Sequence, residues 1–171
     1  MEYIERIYKD NKEILDFLES NNEISFRSDL DSKLKKIILL SSASYYEKLV
    51  TSLLEDFAAK VTRNNVKLIS FVKCKGISRQ YHTLFDWKAA NINSFLGLFG
   101  DDFKVEMKKE INDNEELKSS VQSFLLIGSE RNKLVHIDFA TFSLDYTSDE
   151  IYKHYKNGLK VISFLRDKFL E

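Results

Sequence analysis

The sequence contains no proline, only five glycines and a single cysteine in 171 residues. Without proline, helices can run long, and so few glycines supply little turn chemistry for a sheet of many strands. The lone Cys74 cannot form an intrachain disulfide, which excludes a cysteine-rich zinc module and indicates a reducing compartment. These absences favour a helical protein that folds without covalent or metal crosslinks.

Long apolar runs and an excess of charge of one sign are also missing. The longest apolar run, near KIILLSSA, is too short to span a bilayer, and the charged N-terminus has no apolar signal-peptide region. We therefore expect a cytoplasmic protein that does not use a membrane. The net charge of −1 gives no global basic field, so any handling of RNA must use a local site.

Apolar residues at helical spacing predict one all-α domain over residues 1–171. The polar stretch SFRSDLDSK is expected to cap the second helix, and Thr147 with Glu150 forms a capping box ahead of the last one. The predicted helices cover about residues 2–20, 29–62, 90–98, 101–112, 115–138 and 148–169.

Two segments in the middle of the chain are less regular. NNVKLISFVKCK has the apolar pattern of either a short helix or a strand. GISRQYHTLFDW is predicted to be an ordered loop rich in aromatics. In it His82 stands near Arg79, Tyr81 and Trp87, a combination that either holds single-stranded RNA by stacking or simply caps the core.

The stretch GSERNKLVHIDF places three unusual polar residues, Arg131, Asn132 and His136, on an otherwise ordinary helix. A helical wheel directs all three toward the apolar side, inward or toward a partner. The apolar residues expected around them are Val121, Phe124, Leu125, Gly128, Leu134, Val135 and Phe139. Those expected to face solvent are Ser119, Gln122, Glu130 and Lys133.

The chemistry of these three side chains suits a phosphodiester better than acyl or hydride transfer. Arginine donates two parallel hydrogen bonds to a phosphate, histidine transfers protons near neutral pH, and asparagine orients a neighbour without adding charge. Arg131 and His136 lie roughly 140° apart around the helix axis, so they do not stack. Either they flank one groove, or two such helices face each other across a dimer axis, where an isologous dimer presents each residue twice in one cleft.

A plainer alternative is that Arg131 pairs with a buried acid and His136 is a satisfied core histidine. Glu47, at the edge of an apolar stripe in SSASYYEKLVTSLLEDF, is the candidate acid. It is either the structural counter-ion of Arg131 or a functional residue that positions Arg131 or polarises His136. Both possibilities require the two helices to pack together. Elsewhere, His154 is expected to be structural, and Lys35 and Lys36 are expected to be exposed.

The residues together resemble a known family. RNKLVH matches the R-x4–6-H signature of HEPN domains, which carry a polar residue after the arginine. SASYYEKLVTSLLEDF, ANINSFLGLFG and IGSERNKLVHIDF, in this order, resemble the branch called RiboL-PSP-HEPN or MAE_28990/MAE_18760-like HEPN. The resemblance runs from about residue 30 to the end of the chain.

This resemblance implies a bundle of long antiparallel helices with short helices between them, which dimerises through the signature helices. It also implies a metal-independent endoribonuclease of a toxin–antitoxin or phage-defence system, with RNA as substrate and no cofactor. Arg131 and His136 are then the catalytic pair, and Asn132 and Glu47 support them. The three histidines lie far apart in sequence, with no metal-ligand spacing. A non-catalytic adaptor that binds a partner protein is the alternative.

Overall fold

The computed structural model of the protein describes residues 2–137 and 139–171. Within these ranges the chain forms eight α-helices and one π-helical turn, and no strand, which confirms the all-α prediction. None of the described helices is long and apolar enough to cross a membrane. The elements are α1 (Glu2–Ser20), α2 (Ile24–Val61), α3 (Val66–Val72), the π turn (Lys73–Ile77), α4 (Tyr81–Leu84), α5 (Asn93–Gly97), α6 (Asp101–Asn112), α7 (Glu115–His136) and α8 (Ser148–Leu170).

The last helix, α8, lies against both α2 and α7. It runs antiparallel to α7 and parallel to α2, because the paired residue numbers rise in opposite directions in the first case and together in the second. Helix α1 packs on α2 after a connection of three residues. The side-chain pairs that fix these directions are Ser123–His154 and Glu116–Lys160 between α7 and α8, and Asp31–Ser148 and Asp56–Arg166 between α2 and α8.

Tyr46 of α2 links the three longest helices in the core. Its side chain is fully buried, its hydroxyl donates to the Tyr155 carbonyl oxygen at 2.7 Å, and its ring stacks on Phe124 with centroids 5.1 Å apart. Gly158 lets α8 approach this close, since a Cβ there would meet the Tyr46 hydroxyl and the Phe124 backbone. Burial of large aromatic side chains supplies much of the free energy that holds these helices together.

Two helix starts match their predicted positions, and a third departs from its predicted cap. Asn114 accepts a hydrogen bond from the Leu117 amide, and the capping box of Thr147 and Glu150 is complete, as predicted. Helix α2 begins at Ile24, however, and not near residue 29. SFRSDLDSK therefore lies inside the helix, and its polar residues are mostly on the exposed face. Lys33 and Asp29, for example, form an ion pair across one turn at 2.6 Å.

The end of α7 also differs from the prediction. The helix ends at His136, after which Ile137 has an extended backbone, and the predicted end at Asp138 lies outside the described residues. Val135 and Phe139 were expected in the core, but each is 47% exposed, because they lie at and beyond the helix end. Glu130 was expected to face solvent, yet its side chain is only 13% exposed and pairs with Lys133.

The irregular middle of the chain is largely helical. Most of NNVKLISFVKCK forms α3 and the start of the π turn, so the helical alternative is confirmed, and α3 buries none of its residues. GISRQYHTLFDW begins with the last two residues of the π turn and contains the four-residue α4; the rest of it is irregular. The helix predicted over about 90–98 is confined to α5.

The aromatic segment packs against α7 at a residue that has no side chain. Gly128 is buried, and a Cβ at this position would overlap the Trp87 ring. Trp87 also packs near Tyr81, Phe85 and Phe124, with ring centroids 5.1 to 5.8 Å apart. Gly128 therefore leaves a notch in the surface of α7, and the segment 81–87 packs onto α7 there through the Trp87 ring.

We expect Gly128→Ala to destabilise the fold, because Trp87 must leave its place to make room for the methyl group. Overpacking of this kind costs about 1–3 kcal/mol of unfolding free energy, which chemical denaturation measures. Gly76→Ala is the matched control: no atom lies within 4 Å of its added Cβ, so stability should stay the same or rise slightly. Equal stability of the two variants would contradict the notch.

Candidate active site

Arg131 lies half-buried near the C-terminal end of α7. Its Nη1 donates to Asn132 Oδ1 at 3.1 Å and approaches His82 Nδ1 at 3.4 Å. Among the described residues no carboxylate lies within ion-pair distance of this guanidinium. Within residues 2–137 and 139–171 no buried acid pairs with Arg131, as the plainer alternative required, and its partners there are polar side chains without a negative charge.

His82 comes from the aromatic segment, 49 residues earlier in the chain. A guanidinium only donates hydrogen bonds, so Arg131 is the donor in this contact and His82 Nδ1 is the acceptor.

The aromatic residues around His82 hold its backbone in place. Trp87 Nε1 donates to the His82 carbonyl oxygen at 2.9 Å, and the neighbouring Tyr81 is buried. Arg79 just ahead has a positive φ of 63°, a conformation that costs energy for a residue with a side chain. The segment predicted as an ordered loop thus delivers His82 to Arg131.

Glu47 acts on this cluster at a distance. It forms no ion pair among the described residues, so it is not a direct counter-ion of Arg131. Burial raises the pKa of Tyr81 most, the Glu47 carboxylate raises this pKa further, and the Arg131 guanidinium lowers it. Both charges are therefore close enough to act on the Tyr81 hydroxyl, and α2 packs against α7 as expected.

His136 occupies a different environment from Arg131. It is the last residue of α7, its side chain is exposed, and it makes no hydrogen bond or ion pair within the described ranges. It is therefore not a satisfied core histidine. Its neighbours Val135, Ile137 and Phe139, here called the α7 apolar patch, are 47%, 51% and 47% exposed.

Two lysines of α2 fasten the chain that follows His136. Lys36 is only 6% exposed; its Nζ donates to the Phe139 carbonyl oxygen at 2.8 Å and lies 5.0 Å from the centre of the Phe139 ring. Lys35 is partly buried and donates to the Leu144 carbonyl oxygen at 2.6 Å. The expectation that both lysines are solvent-exposed is wrong, because the chain from 139 to 144 crosses over them.

Ser123, His154 and Asn157 form a hydrogen-bond network between α7 and α8. His154 Nδ1 lies 3.1 Å from Ser123 Oγ, and burial lowers the pKa of this histidine. Asn157 donates to the same Ser123 oxygen at 3.0 Å. This closed network fits the structural role predicted for His154.

No group of three or more potential metal ligands is found within residues 2–137 and 139–171. The sequence search with family models finds RiboL-PSP-HEPN over residues 5–171, nearly the whole chain. Neither the curated proteins nor the solved structures give a significant match.

We expect Lys36→Met to destabilise the chain around His136, since it leaves the Phe139 carbonyl without its charged donor. The cost is about 1.5–3 kcal/mol of unfolding free energy, the range for a hydrogen bond to a charged group. Lys33→Met, at a 65% exposed side chain on the same helix, should cost less than about 1 kcal/mol. Urea denaturation measures both, and faster amide exchange confined to residues 139–147 of Lys36→Met would locate the effect.

Proposed function

We propose, since the chain belongs to the RiboL-PSP-HEPN family, that it is an endoribonuclease that cleaves RNA without a metal ion. The observation that carries this proposal is the Arg131 guanidinium, which is half-buried and contacts the side chains of Asn132 and His82 but no carboxylate of the described residues. Such a cation is available to a phosphate, and arginine is the side chain best shaped to bind one.

The proposed reaction is attack by the RNA 2′-hydroxyl on the adjacent phosphorus. His136, acting as general base, takes the 2′ proton while the bond from O2′ to phosphorus forms. The bond from phosphorus to O5′ breaks, and O5′ receives a proton from a general acid. Arg131 stabilises the charge that develops on the phosphate oxygens. The products are a 2′,3′-cyclic phosphate and a 5′-hydroxyl.

The supporting residues follow from the contacts of Arg131. Asn132 and His82 both contact Nη1 of the guanidinium, which restricts its orientation before the substrate arrives. Glu47 supports the cluster through the electrostatics around Tyr81 rather than by contact. His82 thus joins the proposed site as a positioning residue.

The proposed active form is a homodimer. His136 and the α7 apolar patch are exposed side by side at the end of the signature helix. An exposed apolar cluster of this kind is typical of an interaction surface. In a dimer with twofold symmetry both copies of His136 enter one cleft, which supplies a general base and a general acid from the same residue type.

We place this activity in the cytoplasm, in a toxin–antitoxin or phage-defence system with a cognate antitoxin or defence protein as partner. Unrestrained RNA cleavage stops growth, so the proposal implies growth arrest on expression and relief of that arrest by His136→Ala.

Cleavage of structured RNA in excess EDTA is the direct test. We expect His136→Ala to lower the rate by about 10²- to 10⁴-fold and Arg131→Ala by about 10²- to 10³-fold. Arg166→Ala, at an exposed arginine paired with Asp56, and Lys133→Ala on the exposed side of α7 should cleave like wild type. Product ends should be the cyclic phosphate and the 5′-hydroxyl. Intact RNA with purified wild-type protein, together with tight binding of a partner protein, would instead support a non-catalytic adaptor.

Light scattering, which measures the molar mass in solution, tests the proposed homodimer. A charge introduced into an apolar interface must be desolvated, so Ile137→Asp should shift the protein from dimer to monomer and reduce cleavage. Val105→Asp introduces the same charge at a 68% exposed position of α6 and should leave the dimer intact. A wild-type protein that remains monomeric at high micromolar concentration would contradict the shared cleft.

A further inference from the structure

The charge of this nearly neutral chain is unevenly distributed. Residues 57–85 contain six lysines and arginines and no acidic residue, which leaves 20 basic and 27 acidic residues in the rest of the chain. All six cations are exposed. Only one of them has an ion pair among the described residues, Lys73 with Glu55 at 2.9 Å. The six, here called the basic segment, are Lys60, Arg63, Lys67, Lys73, Lys75 and Arg79.

The basic segment is held on ordered backbone. Arg63 and Asn64 form the turn after α2 with φ of 49° and 60°, and Asn65 caps α3 by accepting from the Leu68 amide. Helix α3 nevertheless buries none of its residues, and Phe71 on it is 64% exposed. A seven-residue helix has little stability of its own. Its one cation, Lys67, and the Phe71 ring are thus presented to solvent by the chain on either side of the helix.

This surface leads into the proposed active site. Arg79 precedes His82 by three residues, a stretch of chain that spans at most about 11 Å. His82 in turn lies 3.4 Å from Arg131. Unpaired positive charge therefore extends from α3 through Arg79 to the guanidinium proposed to bind the scissile phosphate.

We propose that the basic segment binds the backbone of single-stranded RNA beside the cleavage site and that Phe71 stacks on one of its bases. This inference rests on the proposed function for the identity of the ligand. Exposed cations with an exposed aromatic ring among them are the combination that holds single strands, since each unpaired base offers a face for stacking. The cations are spread over a helix end, a turn, a short helix and a loop, unlike the single long amphipathic face that inserts into a membrane.

The first experiment measures binding without cleavage, in the His136→Ala background. A fluorescent single-stranded RNA of roughly 20 nucleotides, longer than the site of one binding domain, is titrated at salt from about 50 to 200 mM. Lys67→Gln, Lys75→Gln and Arg79→Gln are combined in one variant. Loss of three phosphate contacts should weaken binding at least about tenfold and reduce the salt dependence, the slope of log K against log salt, by about 2.

A matched variant controls for net charge. Lys108→Gln, Lys109→Gln and Lys153→Gln change three exposed lysines elsewhere by the same total charge. They should leave the affinity within about twofold of the background protein and the slope nearly unchanged. Both triple variants replace exposed side chains only, so equal thermal unfolding curves are expected and exclude a loss of fold as the cause.

A second pair of variants tests whether Phe71 stacks on an RNA base. Phe71→Ala should weaken RNA binding by about tenfold, the effect of losing one stacked base, without changing the salt slope. Phe17→Ala removes a ring of the same exposure, 65%, from α1 and should have no effect.

The outcomes separate this inference from the proposed function. If wild type leaves RNA intact while binding depends on the basic segment, the inference stands and the nuclease proposal fails. If wild type cleaves RNA but the two triple variants bind alike, the inference fails and the nuclease proposal stands. Binding to anionic phospholipid vesicles that depends on the basic segment, with no such effect on RNA, also overturns the inference.

Discussion

The Trp87 ring reaches the backbone of α7 only because residue 128 has no side chain. That one contact fixes the path of the aromatic segment, since Trp87 also donates to the His82 carbonyl oxygen. Arg131 follows Gly128 by three residues, less than one helical turn, so the segment arrives with His82 beside the guanidinium. Packing of the Trp87 ring against Gly128 therefore places His82, one of the two partners of Arg131.

The partners of Arg131 among the described residues are not carboxylates, and this has a chemical consequence. A guanidinium paired with a carboxylate is already compensated, and a phosphate must compete for it. Asn132 and His82 instead satisfy donors of Arg131 without cancelling its charge. Glu47 lies close enough to influence Tyr81, yet it does not pair with Arg131. The cluster is thus built to orient a cation and leave it free to act on an anion.

The sequence predicts the parts of this structure that local rules control. Helical spacing yields the long helices and the start of α7, and the capping box of Thr147 and Glu150 locates the start of α8 correctly. What it does not predict depends on contacts between distant segments. The sequence around Lys36 is that of an exposed lysine, and its burial depends on the chain beyond α7, which folds over it. No local pattern indicates the contact between His82 and Arg131. The early start of α2 at Ile24 escapes prediction because polar residues near a helix start suit both a cap and an exposed helical face.

The two residues of the family signature share a helix but not an environment. Arg131 is half-buried and held by its neighbours, whereas His136 is exposed at the helix end beside Val135 and Ile137, both about half exposed. A general base that acts on a 2′-hydroxyl needs a fixed position and a site from which bulk water is excluded. Within one chain the described residues give Arg131 such a position but not His136. In the proposed dimer the α7 apolar patch covers His136, and the same burial that stabilises the interface would fix the base.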